Sequence, residues 1–268
     1  MRLATCAALL LAGVSTAAAQ SPSSSQLVLT ILGGAVGGHR LWDVSKQPLA
    51  SLVRVDSGQF DTLRLSREIT SSIVVGASAT YFVSSKVGIH AEISYLGLPN
   101  DDGCTLLHRT PNDSLVPAVC NDIQSHSGSG GAISLFLGAT VRAAAQRGLS
   151  PYLRASIGLV GMPHSKVAVV GSYLTSLGPV PVGAIDDPNP RNAAPLLGLA
   201  AGVTTPVSKA GAYQFRLELR DVITSIERVT GPADAGTRIA PTASRFYHHF
   251  ALTIGLDVVL EKKRGRRY

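Results

Sequence analysis

The feature that most constrains this chain is an alternation of apolar and polar side chains that recurs along most of its length. In the clearest segment, 246–260, seven of the eight even-numbered side chains are strongly apolar. Successive side chains of a β-strand point to opposite faces, so this pattern predicts a strand with one apolar face. At ~3.3 Å per residue the strand would extend about 50 Å, which exceeds the usual length in soluble proteins. A strand of this length is sufficient to cross a bilayer at a tilt.

The connections between the alternating segments differ in length in a regular way. The eight predicted strands are 26–36, 69–83, 86–98, 132–145, 150–162, 195–207, 212–226 and 245–260. Short connections at 84–85, 146–149 and 208–211 alternate strictly with long ones, which are rich in loop-forming residues and cover 37–68, 99–131, 163–194 and 227–244. We therefore predict an all-β fold, namely a closed antiparallel eight-stranded transmembrane β-barrel with short periplasmic turns and long outer loops.

The N-terminus has the features of an export signal. Arg2 precedes an apolar run from Leu3 to Val14, and small residues follow up to Gln20. This pattern predicts a secretory signal peptide, since the apolar run is too short to span a membrane as a helix. The predicted organisation is a signal peptide over 1–20, a barrel domain over 21–260 and a basic tail over 261–268. Export also excludes nucleic acid as the partner of the chain's net charge of +7.

Two cysteines remain after the predicted cleavage, Cys104 and Cys120. In an exported protein two cysteines sixteen residues apart favour a disulfide, with two free thiols as the alternative. A metal site would need further ligands at suitable spacing, and we expect neither a metal nor a cofactor.

Two internal segments and the end of the last strand resemble a known family. The segments 150–158 and 215–221 look like strands of the eight-stranded outer-membrane β-barrel family (OmpA/OmpX-like barrel domains). Gly255, Val258 and Leu260 are similar to that family's C-terminal assembly signal, although members commonly end at an aromatic residue and this chain continues to Tyr268. The resemblance implies the outer membrane of a Gram-negative cell, insertion by the barrel assembly machinery and contact with outer-membrane lipids, including lipopolysaccharide. We expect no peptidoglycan-binding domain.

The strand faces opposite the apolar ones predict a polar barrel interior. Its predicted residues are His90, Glu92, Arg142, Tyr152, Arg154, Arg216, Glu218, Arg220, Tyr247, His249 and Asp257. Buried charges must be paired, so we expect a network of salt bridges and hydrogen bonds that holds the barrel together. The alternative is a gated ion path along the same charges. An eight-stranded barrel is only wide enough to be filled by side chains, which argues against an open pore.

The function predicted from these features is a structural or surface-interaction role in the outer membrane, without catalysis. The outer loops are the expected contact surface for an extracellular partner. A lipid-modifying hydrolase or acyltransferase is the first alternative, and His248 is the histidine placed for such interfacial work. A narrow ion or solute channel is the second alternative.

The sequence predicts simpler roles for several other residues. We expect the carboxylates at 101–102 and 186–187 to be solvated loop residues, because no calcium-binding spacing surrounds them. Aromatic residues near strand ends predict a membrane girdle, and they are Tyr81, Phe82, Tyr95, Phe246 and Tyr247. The rival fold is a soluble lipocalin-like barrel with its apolar faces inward, but the many apolar side chains would overpack its interior.

Overall fold

The computed structural model describes residues 25–50, 52, 59–125, 128, 130–143, 148–162, 165–207 and 212–261. The predicted signal peptide and the predicted basic tail after Glu261 lie outside the described residues, and Glu261 itself is the last residue of β13. The elements in chain order are β1 (Gln26–Val36), β2 (His39–Ala50), β3 (Phe60–Ile69), β4 (Ser72–Phe82), β5 (Val87–Gly97), β6 (Asn100–His108), α1 (Leu115–Ser125), β7 (Gly131–Arg142), β8 (Ser150–Gly161), β9 (Val169–Thr175), β10 (Gly178–Ile185), β11 (Ala193–Pro206), β12 (Tyr213–Val229) and β13 (Thr242–Glu261).

Eight of these strands form a closed antiparallel barrel in the order β1-β13-β12-β11-β8-β7-β5-β4. The ring closes through β1, which pairs with β4 along one edge and with β13 along the other. The predicted fold class is therefore confirmed. Close strand approach is built into the sequence at Gly158, where a Cβ would lie 1.9 Å from the carbonyl oxygen of Leu135. No helix in the described ranges is long and apolar enough to span a membrane.

The outward face of the barrel is apolar and the inward face is largely polar. Exposed large apolar side chains are found on every barrel strand, and they include Ile31, Val75, Ile89, Ile93, Leu135, Leu137, Leu153, Ile157, Leu199, Leu217, Leu219, Leu252 and Ile254. This distribution is opposite to that of a soluble lipocalin-like barrel, which would bury its apolar faces inside. It matches a barrel whose exterior contacts hydrocarbon.

The long connections contain regular structure that the sequence interpretation treated as loops. The first and second contribute β2, β3 and β6, which form a three-stranded sheet, and the second adds α1. The third forms the β9–β10 hairpin. The fourth is short, because β12 and β13 extend beyond the predicted strand ends and pair from Val229 and Thr242 inward. Together these parts of the first three connections form the cap, which comprises β2, β3, β6, α1, β9 and β10.

The cap has an apolar core of its own that continues into the outer half of the lumen. Residues of the cap and of the inner barrel wall form one cluster, which includes Leu32, Val36, Trp42, Leu63, Leu65, Leu98, Val119, Ile123, Phe136, Val160, Ile185, Leu196 and Val222. The Cys104–Cys120 disulfide connects β6 to α1, with 5.4 Å between the Cα atoms. Asp113 caps α1 by accepting hydrogen bonds from the backbone N–H groups of Leu115 and Val116. The predicted disulfide is thus present and lies in the cap.

Candidate functional site: the polar lumen and the cap

A compact cluster of paired charges fills the middle of the lumen. Arg220 Nη1 lies 2.6 Å from Glu92 Oε1, and Arg220 Nε lies 2.9 Å from Glu218 Oε1. Arg154 Nη1 lies between the same two carboxylates, at 3.3 Å from Glu92 and 3.4 Å from Glu218. The Tyr152 hydroxyl donates a hydrogen bond to Glu218 Oε2. Every member of this cluster is buried.

A second pair extends the network towards β1. Arg216 Nη2 lies 2.8 Å from Asp257 Oδ2, and the Thr30 hydroxyl donates to Asp257 Oδ1 at 2.8 Å. Arg216 also lies 4.0 Å from Glu218, which connects the two groups. Across both groups three guanidinium groups face three carboxylates. The formal charges of this network therefore cancel.

Four of the predicted lumen residues lie at the margin of this network or outside it. His90 is buried 3.5 Å from Glu92 and contacts the Thr80 hydroxyl. Arg142 does not meet a carboxylate; it donates to Gln26 Oε1 at 2.9 Å and lies over the Phe82 ring. The other two, Tyr247 and His249, are also buried and are described below with the cap.

The space left between these side chains is small. A cavity of about 20 Å³ lies beside Glu92, Arg154 and Arg220, with Phe136 on its wall. A cavity of that size holds about one water molecule. The ion pairs hold strands from opposite sides of the barrel together, because Glu92 on β5 is paired with Arg220 on β12.

The third connection is held across the barrel mouth by hydrogen bonds that the sequence did not predict. The indole N–H of Trp42 donates to the carbonyl oxygen of Lys166 at 3.0 Å. Lys166 Nζ in turn donates to Leu98 O and to Asn100 Oδ1, each at 3.1 Å. Burial and the nearby Arg67 lower the pKa of Lys166 to about 8. Lys166 thus links the first, second and third connections, the first through its backbone oxygen and the second through its ammonium group.

One of the predicted solvated carboxylates belongs to the same region. Asp102 forms a bidentate pair with Arg67 at 2.5 and 2.6 Å, and Arg67 also donates to Ala168 O. The expectation that Asp102 is simply solvated was wrong, because Arg67 is buried and needs a counter-charge. Asp186 pairs with the exposed Arg238 at 2.9 Å. No group of three or more potential metal ligands occurs among the described residues.

Aromatic and imidazole rings pack where β2 leaves the barrel wall. His39 stacks on Tyr247 with 4.9 Å between ring centroids, and it lies 4.8 Å from His249. The Tyr247 hydroxyl donates to Leu41 O at 2.8 Å. Tyr247 therefore faces inward rather than forming part of the predicted girdle. Phe82 is also buried inside the barrel, whereas Tyr81, Tyr95 and Phe246 are exposed on its outer face.

His248 lies on the outer face, as predicted, and has a partner there. Its Nδ1 lies 2.7 Å from Asp221 Oδ2, and its ring stacks near Phe250. Asp221 is eight residues into β12, and at ~3.3 Å per residue with a tilt of about 40° this is roughly 20 Å from the end of the barrel that carries the short turns. The apolar belt of such barrels is ~25 Å tall. The pair thus lies near the outer boundary of the hydrocarbon.

The β9–β10 hairpin carries the most exposed apolar side chains of the cap. Leu174 is 81% exposed and Leu177, in the turn, is 98% exposed. The segment 169–185 contains no charged residue. Pro179 and Pro181 of β10 lack an N–H group, which makes this strand a poor template for strand addition. The hairpin therefore presents an apolar surface that is suited to contact through side chains.

No protein-family model matches this chain, and no curated protein matches it. Among solved structures it is similar to the outer membrane protein OprG from Pseudomonas aeruginosa, at 8% identity and a TM-score of 0.46 over 90% of this chain and 97% of that chain. It is also similar to the outer membrane protein AlkL in lipid bilayers, at 14% identity and a TM-score of 0.45 over 92% of this chain and 95% of that chain. A third similar structure is Neisserial surface protein A, at 13% identity and a TM-score of 0.36 over 88% of this chain and 99% of that chain. At such values the fold rests on the strand pairing given above.

Proposed function

We propose that this chain is an integral outer-membrane barrel protein of a Gram-negative cell that makes contacts at the cell surface. The observation that carries the proposal is a barrel whose lumen is filled by side chains, with its central charges paired, beneath a folded cap whose hairpin exposes Leu174 and Leu177. A filled lumen favours a structural or contact role over conduction. An uncharged apolar hairpin on the side of the long connections favours an apolar contact surface outside the cell.

The location is tested first. The full precursor is expressed in a Gram-negative host, and the outer-membrane fraction is run on SDS gels with and without boiling. A membrane-bound band whose mobility changes on boiling is the result expected of a detergent-resistant barrel. A soluble periplasmic band without a shift would refute the membrane location.

The contact role is tested with the double variant Leu174→Ser/Leu177→Ser. We expect cells that display it to partition less into hexadecane than cells with the parent protein, at equal amounts of heat-modifiable barrel. Leu149→Ser is the matched control, because Leu149 is also exposed but lies in the short turn between β7 and β8. Equal partitioning of all three strains would refute an apolar contact role of the hairpin.

Insertion and lipid contact follow from the same proposal. Gly255, Val258 and Leu260 would be read by the barrel assembly machinery, and the apolar belt would contact outer-membrane lipids, including lipopolysaccharide. Leu260→Ser should then reduce insertion in cells but leave spontaneous refolding into vesicles intact. Equal insertion of the variant and the parent in cells would refute a role of Leu260 in recognition by the assembly machinery.

A lipid-modifying activity is the second candidate, and the Asp221–His248 pair is the observation that favours it. The carboxylate bonded to Nδ1 leaves Nε2 of His248 as a proton acceptor at the depth of the outer-leaflet lipids. Mass spectrometry of the host's outer-membrane lipids checks this candidate. Lipid changes that depend on the protein and vanish in His248→Ala, but not in His249→Ala, would support catalysis; unchanged lipids would exclude it for that host.

A further inference from the structure

The junction between the cap and the barrel contains two imidazoles whose ring nitrogens are all buried and which the proposed function does not use. His39 is the first residue of β2, and His249 lies on the inner face of β13 and is fully buried. In the described part of the chain none of the four ring nitrogens has a hydrogen-bond partner. Buried polar groups are normally paired, so this arrangement requires an explanation.

The same junction fixes the position of β2. His39 is stacked on Tyr247 and packed against His249, and the Tyr247 hydroxyl bonds the backbone of Leu41 two residues further along. Trp42 follows immediately and bonds the backbone of Lys166 in the third connection. Displacing His39 would therefore loosen the contact between the first and third connections across the barrel mouth.

The charges around the two imidazoles are mainly positive. Lys166 of the third connection and His248 of β13 act on His249, while Arg228 of β12 and Arg245 of β13 lie beside Tyr247, on which His39 is stacked. On β2 and β3 the neighbouring charges are Arg40 and Glu68, which are paired in register and exposed, and Arg67 with its partner Asp102. Within the described ranges no carboxylate lies within ion-pair distance of His39 or His249. The carboxylate of Asp221 is paired with the outward-facing His248 instead. A proton on either ring would have no counter-charge.

We infer that the His39–His249 pair makes closure of the cap over the lumen sensitive to pH. When both imidazoles are neutral they pack against each other and against Tyr247, and β2 stays on the barrel mouth. When they are protonated, two like charges share an enclosed site beside further cations, so His39 leaves the stack and β2 moves with it. Opening exposes Trp42 and the apolar outer half of the lumen to water.

The direction of the effect follows from proton linkage. An imidazole in water has a pKa of about 6.5, and burial lowers the pKa of His39 in the closed cap. The open state therefore binds more protons below pH ~6.5, and acid favours opening. Each imidazole shifts the open-to-closed ratio by at most about tenfold per pH unit, so the pair shifts it by up to about 100-fold per unit.

The chain provides its own reporter, because Trp42 is its only tryptophan and is buried in the closed cap. Full-length mature protein is refolded into phosphatidylcholine vesicles, and tryptophan emission and acrylamide quenching are measured from pH 7.5 to 4.5. We expect a red shift and increased quenching below pH ~6.5 that reverse on return to pH 7.5. Unboiled gel mobility at each pH verifies that the barrel stays folded.

The variants identify the titrating groups. His39→Phe/His249→Phe keeps ring packing and removes both titrations, so we expect the acid transition to disappear. His248→Gln is the matched control and should retain the acid transition, because His248 faces outward with Asp221 and is not part of the ring stack. If the double variant does not fold, the single variant His39→Gln should halve the steepness of the transition. A parent protein whose Trp42 stays buried at pH 4.5, or a folded histidine variant with an unchanged transition, would overturn the inference.

Discussion

Glu218 provides the sharpest test of how the barrel is held together. Its side chain is fully buried and faces Arg220, Arg154 and Arg216, while Tyr152 donates a hydrogen bond to it. The substitution Glu218→Gln retains the shape of the side chain but removes its charge. The three guanidinium groups of the network are then opposed by two carboxylates instead of three. The lumen gains a net positive charge that it cannot neutralise.

The size of the effect can be bounded from the geometry. At an effective dielectric constant of 20, two unit charges 4 Å apart interact by about 4 kcal/mol, and three guanidinium groups lie within that distance of Glu218. Desolvation of the buried ions offsets most of this gross attraction. Removing one partner of a buried ion pair typically costs ~3–5 kcal/mol, which is the loss of unfolding free energy that we expect.

The assay is reversible urea unfolding in phospholipid vesicles, followed by tryptophan emission and by unboiled gel mobility. Glu227→Gln is the control, because Glu227 is half-buried and lies 3.7 Å from the exposed Arg191, a pair that should contribute less than about 1 kcal/mol. The double variant Glu218→Gln/Arg154→Gln restores neutrality and should recover part of the loss. If Glu218→Gln and Glu227→Gln destabilise the barrel equally, the paired lumen charges do not stabilise it in the way proposed.

Three further predictions concern the cap and the barrel wall. Cys104→Ser/Cys120→Ser should lower cap stability by about 3 kcal/mol while leaving the gel shift of the barrel unchanged, as read by protease cleavage within the cap. The pKa of Lys166 is lowered to about 8 in the closed cap. Closure of the cap should therefore become more favourable by up to about 1.4 kcal/mol per pH unit between pH ~8 and ~10.5. Hydrogen exchange of the cap would detect this change, and Lys166→Met should abolish it. Gly158→Val should prevent refolding to the heat-modifiable form, since its Cβ would overlap the backbone of Leu135.

The sequence determined which faces of the strands point outward, because side-chain alternation is a local property of an extended backbone. That rule assigned Glu92, Arg154, Arg216, Glu218 and Arg220 to the interior before any pairing was known. The same parity assigned Tyr247 inward and would also have assigned Phe82 inward, whereas the position of both residues near strand ends wrongly suggested that they belong to a girdle. The strict alternation of short and long connections determined the strand number and the antiparallel order.

The tertiary structure decided which of these residues meet. Glu92 and Arg220 are separated by 128 positions, and only closure of the barrel and its strand register bring them within 2.6 Å. Trp42 and Lys166 meet across 124 positions, because the cap folds over the mouth as a sheet, a helix and a hairpin with a shared apolar core. Alternation along a strand carries no information about contacts between distant connections. The physical reason is that side-chain direction is set by neighbouring residues, whereas pairing is set by the packing of the whole chain.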